Sequence, residues 1–181
     1  IVDYVARYLE LHYGSPGSGG VQHLAMELIK LETGIDVVHV PYKGLGGATT
    51  DLIGGHVQAM VAALQSVAPH VQSGKLRMLA VLSAERAAAF PGVPTLREQG
   101  VADLEVETWY AAFAPAGTPA AVIGKLNAGI NAALIDPSVR ASLEKQGMAP
   151  AGGDPARMEA LLQRELARWA RVVNAAGIKA D

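Results

Sequence analysis

The stretch His12–Lys30, "HYGSPGSGGVQHLAMELIK", decides how the rest of the chain is read. Gly14 to Gly20 is built from glycine, serine and proline alone. Directly after it Val21, Leu24, Ala25, Leu28 and Ile29 recur at helical spacing, which predicts a helix over Val21–Thr33 stopped by Gly34. Leu11–Tyr13 reads as a short strand entering the turn. A strand, a glycine-rich turn and a helix in that order place unpaired N–H groups at a helix start that carries partial positive charge. Glycines let an anion approach that backbone closely, and Ser15 and Ser18 add hydroxyls. Gly17, Gly19 and the two serines are therefore candidate anion-binding residues. The bland alternative is a plain tight turn with a serine cap, and the motif alone does not separate the two. Val21 and Gln22 stand where a P-loop needs Lys and Ser/Thr, and the dinucleotide pattern G-x-G-x-x-G is also missing, so a carboxylate or small oxyanion fits better than a nucleotide.

Moving outward, the next segments alternate in the same way. "DVVHVPY" reads as a strand whose apolar run predicts burial on both faces. A loop and a short helix over Ala48–Ile53 follow. "VQAMVAAL" is the next strand, "SVAPHVQSG" a short helix or turn, and "LRMLAVLS" a buried strand. Strand and helix alternating over short connections predict an α/β fold, a parallel-rich sheet with right-handed crossovers and helices on both sides. Thr95 then reads as the cap of a single-turn helix ending at Gly100, and residues 104–117 as a long extended segment, either single or in two strand pieces joined near Thr108. Thr118-Pro119 reads as the cap and first position of a helix carrying Val122, Leu126, Ile130 and Leu134. Asp136-Pro137 opens another helix, through Gln146. Asp154-Pro155 opens the last, with Met158, Leu161, Leu162, Leu166, Trp169 and Val173 on its apolar side. Ile1, Val2, Val5 and Leu9 read as the end of a helix, and residues 1–10 show no secretory leader pattern.

Composition narrows the classes. Half of the 181 residues are apolar, enough for a sizeable core. A net charge of −2, from 15 basic and 17 acidic side chains without a basic run, argues against a nucleic-acid partner. The absence of cysteine removes disulfides, thiolate metal sites and a cysteine nucleophile. No apolar run approaches the roughly 20 residues that span a bilayer.

A second candidate site is "VPYKGLGG", residues 40–47. Lys43 can pair with an anion, Tyr42 can donate a hydrogen bond and cover a ligand with its ring, and Gly44 exposes an amide before a helix. Both glycine loops leave the carboxyl ends of strands, where open α/β sheets bind ligands. A solvated lysine in a flexible loop is the plain alternative for Lys43. The five histidines form no i, i+4 pair and no H-E-x-x-H, so no zinc site is expected. His23, in the first turn after the glycines, can reach a ligand; a packed histidine is the commoner outcome. No nucleophile elbow or nucleophile–base pair is visible. Neither catalysis nor a cofactor is expected. Trp109 and Trp169 read as core anchors.

Seven pieces in order carry a family resemblance: "HVPYKG", "TDLIGGHVQAM", "SGKLRMLAV", "FPGVPTLREQG", "TWYAAFAPAGTP", "VIGKLNAGINAAL" and "RWARVVNAAGIK". Together they resemble the Bug/TctC family of extracytoplasmic solute receptors of tripartite tricarboxylate transporters. The resemblance implies a two-lobed periplasmic binding protein that holds a small carboxylate between its lobes through backbone amides and water. It implies membrane permease subunits as partners, a periplasmic location and no catalysis. It puts the Gly14–Gly20 turn and the Tyr42–Gly44 loop on the second lobe's face of the cleft. Residues 11–108 then form that lobe, 1–10 the remnant of an upstream helix, and 109–181 the crossover strand and helices of a truncated first lobe. Family members commonly carry Asp-Asn where this chain has Ala62-Ala63, which makes Ala63 a ligand-facing position without a polar side chain. Two rival classes remain: a small transferase or hydrolase using the turn as an oxyanion site with His23 as base, and a non-binding interaction module. The apolar faces of helices 119–135 and 154–176 call for cover, either by a homodimer or by the helices folding back on the single lobe, and the extended Trp109–Pro115 stretch favours the dimer.

Overall fold

The computed structural model describes residues 11–101, 104–145 and 148–178. The helix end expected over residues 1–10, and Gln146 at the expected end of the helix opened by Asp136-Pro137, lie outside them. The chain divides into two compact units, 1–108 with 169–181, and 109–168.

The first unit is built on a parallel sheet of β1 (His12–Ser15), β2 (Val38–Pro41) and β3 (Ala59–Met60), in the order β2-β1-β3. Helix α1 (Val21–Thr33) connects β1 to β2, α2 (Leu45–Gly54) connects β2 to β3, and α3 (Leu64–Gln72) follows β3. The order reverses direction after β2, so right-handed crossovers put α1 and α2 on opposite faces. The side chains agree. Tyr13 bonds Glu27 of α1, while a Cβ on the next residue, Gly14, would lie 3.5 Å from Ala48 of α2. Alternate residues of β1 thus serve opposite layers. Helix α1 ends as expected: Gly34, at φ 69°, returns its N–H to the Lys30 carbonyl. Leu11, Tyr13, Leu28, Ile29, Val37 and Leu96 form the heart of the core, joined by Val172 from the last helix and edged by Trp169.

Several expected elements differ. The β1 strand starts and ends later than Leu11–Tyr13. The third strand is two residues long, because residues 61–63 leave the ladder before α3. Helix α2 starts three residues before Ala48, where the Thr49 and Thr50 hydroxyls donate to the Leu45 and Gly46 carbonyls. The β2 strand is not buried on both faces. It is a sheet edge, so Val37 is buried while Val38 is 53% exposed. "LRMLAVLS" is not a ladder strand. Its backbone is taken up by a single parallel bridge, Val81 to Thr95, and by Val106 donating to the Leu82 carbonyl. Residues 104–117 contain no ladder strand among the described residues. The turn at Arg97–Gln99 is capped as expected, and reciprocally: Thr95 Oγ1 accepts the Glu98 N–H, and Glu98 Oε2 accepts the Thr95 N–H.

The second unit holds α4 (Ala120–Ile135), α5 (Pro137–Lys145) and the first part of α6 (Pro155–Ala176). Thr118 is not the cap of α4. Pro119 occupies that position, and the Thr118 hydroxyl donates to the Pro115 carbonyl instead. Asp136 and Asp154 do cap, accepting N–H groups from Ser138 and Arg157. Asn131 clamps Gly153 from both sides, accepting its N–H at 2.7 Å and donating to its carbonyl at 2.9 Å. On α4, Val122, Leu126 and Ile130 remain 45, 52 and 43% exposed. None of the helices is long and apolar enough to cross a membrane, among the described residues.

Candidate functional site

Parallel strands send all their following loops to one edge. Here residues 16–20, 42–44 and 61–63 leave the carboxyl ends of β1, β2 and β3. The reversal of strand order falls between β1 and β3, the place where open α/β sheets bind ligands. The first two loops are joined through the backbone: Tyr42 donates its N–H to the Ser15 carbonyl and Gly44 to the Pro16 carbonyl.

The glycine turn is open on one side. Ser18, Gly19 and Gly20 are exposed, and a Cβ at Gly19, where φ is 74°, would meet nothing within 4 Å. The first N–H groups of α1 have no intrahelical carbonyl to bond. An anion thus has space, donors and a favourable dipole here.

The expected residues do not all face that space. Ser15 is fully buried; its hydroxyl donates to the Gly17 carbonyl at 2.9 Å and meets His39 Nε2 at 2.6 Å. It shapes the turn and is not presented to a ligand. The Gly17 N–H points at Ser15 Oγ, 3.3 Å away, and the Gly19 N–H is taken by His23 Nδ1 at 2.9 Å. His23 is therefore the packed histidine and not a ligand-facing one. Tyr42 is also committed: its hydroxyl donates to Asp51 Oδ2 at 2.7 Å, which pushes the phenol up from its ordinary value. Its ring fills the space beside Gly14 and Gly47, whose added Cβ atoms would come within 3.3 Å of it. Gly44 spends its N–H on Pro16. Lys43 is exposed, and Ala63 stands exposed at the cap of α3. Ser18, Lys43 and Ala63 are the candidates that face outward.

Reading the sequence alone missed His39. Its ring lies between those of Tyr13, at 4.9 Å, and His23, at 3.8 Å with an interplanar angle of 13°. The available signal was register: parallel pairing of "HYGS" with "VHVP" sets His39 beside Tyr13. Glu27 Oε1 accepts the Tyr13 hydroxyl at 2.6 Å and the Lys30 ammonium at 3.0 Å. Burial, then the bond to Glu27, pushes the Tyr13 phenol up. Burial lowers both histidines, His39 to about 4; in His39 the neighbouring His23 adds to it. The Ser15–His39 contact has the look of a nucleophile and base, but a buried hydroxyl bonded to a carbonyl has no approach for a substrate. Among the described residues no cluster of His, Asp or Glu could hold a metal ion.

The comparisons with known proteins agree with this architecture. The profile described as the tripartite tricarboxylate transporter family receptor, TctC, matches residues 1–178. Protein BugT of Bordetella pertussis is 38% identical over 174 residues, which are 96% of this chain and 53% of that protein. A UPF0065 protein from the clcB-clcD intergenic region of Pseudomonas knackmussii is 34% identical, over 87% of this chain and 94% of its own length. A protein of R. palustris solved with adipate superposes with a TM-score of 0.78 at 35% identity, covering 98% of this chain and 60% of that one. MatC of Rhodopseudomonas palustris, solved with bound malate, gives 0.72 at 32%, over 94% and 60%. The chain spans about half the length of BugT. With its profile match running almost end to end, the chain belongs to the TctC family of tripartite tricarboxylate transporter receptors.

Proposed function

We propose that this chain supplies the carboxylate-holding half-cleft of a periplasmic solute receptor that hands its ligand to membrane permease subunits. The observation that carries the reading is the open glycine turn at the head of α1, knitted to the Tyr42–Gly44 loop at the edge where the strand order reverses. Ser18, the first amides of α1 and Lys43 are the groups we assign to the carboxylate. Ala63, at the cap of α3, adds no polar group of its own. The adipate and malate bound by the two structural relatives make small dicarboxylates the first ligands to test. Residues 11–108 form the lobe in this reading, with the end of α6 packed on it, and the stretch from Trp109 leads towards the other lobe. Nothing is transformed; the ligand is held and released.

Calorimetric titration of the 181-residue chain with adipate and malate tests this. We expect saturable binding to at least one, and Ser18→Asp, which sets a like charge at the open side, to weaken it about tenfold or more. No heat and no perturbed amide around Ser18 with either ligand would end the proposal.

The exposed stripe of Val122, Leu126 and Ile130 on α4 supports a second, compatible reading: self-association of this chain. Light scattering at micromolar concentration is expected to give the mass of a dimer, and Leu126→Glu to return it to a monomer. A monomer mass for the unaltered chain would refute the dimer.

A further inference from the structure

We propose that the stacked imidazoles of His23 and His39 are positioning residues that hold the glycine turn in its anion-accepting shape. The inference rests on the carboxylate reading of that turn. Glycine is permissive, so a turn of this composition has little preference of its own and needs attachment. It is attached at both ends to one ring stack. At the start, His39 Nε2 meets Ser15 Oγ at 2.6 Å; near the end, His23 Nδ1 accepts the Gly19 N–H at 2.9 Å. The rings that make these contacts lie 3.8 Å apart and nearly parallel, so neither moves alone.

The protons are fixed by counting. The one Ser15 hydroxyl proton goes to the Gly17 carbonyl, so His39 donates from Nε2 to the serine oxygen. His23 accepts at Nδ1, so it is neutral, with its proton on Nε2. The titratable or charged neighbours that influence the pair, among the described residues, come from two elements. Tyr13 from β1 backs His39; Glu27 and Lys30 from α1 act on both rings with opposite sign. Burial outweighs Glu27 and keeps both rings neutral. Protonating His23 at Nδ1 turns the acceptor into a donor facing an N–H and puts charge into the stack. The Gly19 attachment then breaks and the turn is released. Neither histidine touches ligand in this account; each acts through the backbone it holds.

The test uses the unliganded 181-residue chain first. In ¹⁵N–¹H spectra recorded as the pH falls, the Gly19 amide is expected to shift with the same midpoint as the His23 ring. A Gly19 resonance that stays still while His23 titrates overturns the proposal. Binding supplies the second readout. His23→Phe keeps a ring but removes the acceptor, and is expected to weaken adipate or malate binding about tenfold. His23→Asn places an oxygen near the lost Nδ1 and is expected to restore affinity to within about threefold of the unaltered chain. Equal affinity of His23→Phe and the unaltered chain also overturns it. If His23→Phe does not fold, the Gly19 titration and His23→Asn carry the test. If the unaltered chain binds neither dicarboxylate, the receptor reading fails by itself, and the Gly19 titration still decides whether the histidines hold the turn.

Discussion

Tyr13→Ala is expected to lower the unfolding free energy by about 3–5 kcal/mol, measured by urea denaturation. The ring is fully buried at the centre of the sheet and stacks on His39. Removing it leaves a cavity between β1, β2 and α1 that a three-stranded sheet cannot close without moving its strands. The loss has a polar part as well, because Glu27 keeps Lys30 but loses the phenol. Tyr13→Phe separates the two contributions. It keeps the ring and is expected to cost only about 1–3 kcal/mol, the range for an abandoned buried acceptor. A Phe variant as damaged as the Ala variant would show that the hydroxyl, and not the packing, dominates.

Acid lability is the second large effect. The sign follows from both histidines having folded-state pKa values below the ordinary 6.5, His39 at about 4. Above pH 6.5 the folded and unfolded chains are alike in leaving these rings neutral. Between 6.5 and about 4 the unfolded chain takes up protons that the folded chain refuses, so stability falls as the pH is lowered through that window. The full His39 shift is worth about 3 kcal/mol. The ring is only partly buried, and screening by solvent brings the expected loss to about 1–2 kcal/mol. Urea midpoints measured at pH 7 and pH 4.5 give the slope. His39→Gln cannot titrate and is expected to flatten it; an unchanged slope would assign the lability to other groups.

Much of this architecture was legible in local signals. The span of α1 follows from its apolar period and from Gly34, and the caps of α5 and α6 from Asp136 and Asp154 preceding proline. Alternating strands and helices over short connections force parallel pairing, because a strand can return to its neighbour only by a crossover. The open glycine turn before α1 is legible for the same reason: a helix start and its glycines are consequences of nearby residues. Even the family is carried by short pieces in order.

Tertiary structure decided which groups the turn actually offers. Ser15 turns inward because β1 alternates, and one face of the strand is already committed to α1. Tyr42 gives its hydroxyl proton to Asp51, and Gly14 and Gly47 leave room for its ring. "LRMLAVLS" has the composition of a buried strand, yet its backbone finds Thr95 and Val106 in place of a ladder. The stack of Tyr13, His39 and His23 joins residues from three elements, and no periodicity within one element encodes it. Spacing along the chain sets which way a side chain points relative to its neighbours. Register between strands and the packing of helices onto them set what it meets, and in this protein they stack His23 on His39 and turn its Nδ1 to the Gly19 N–H.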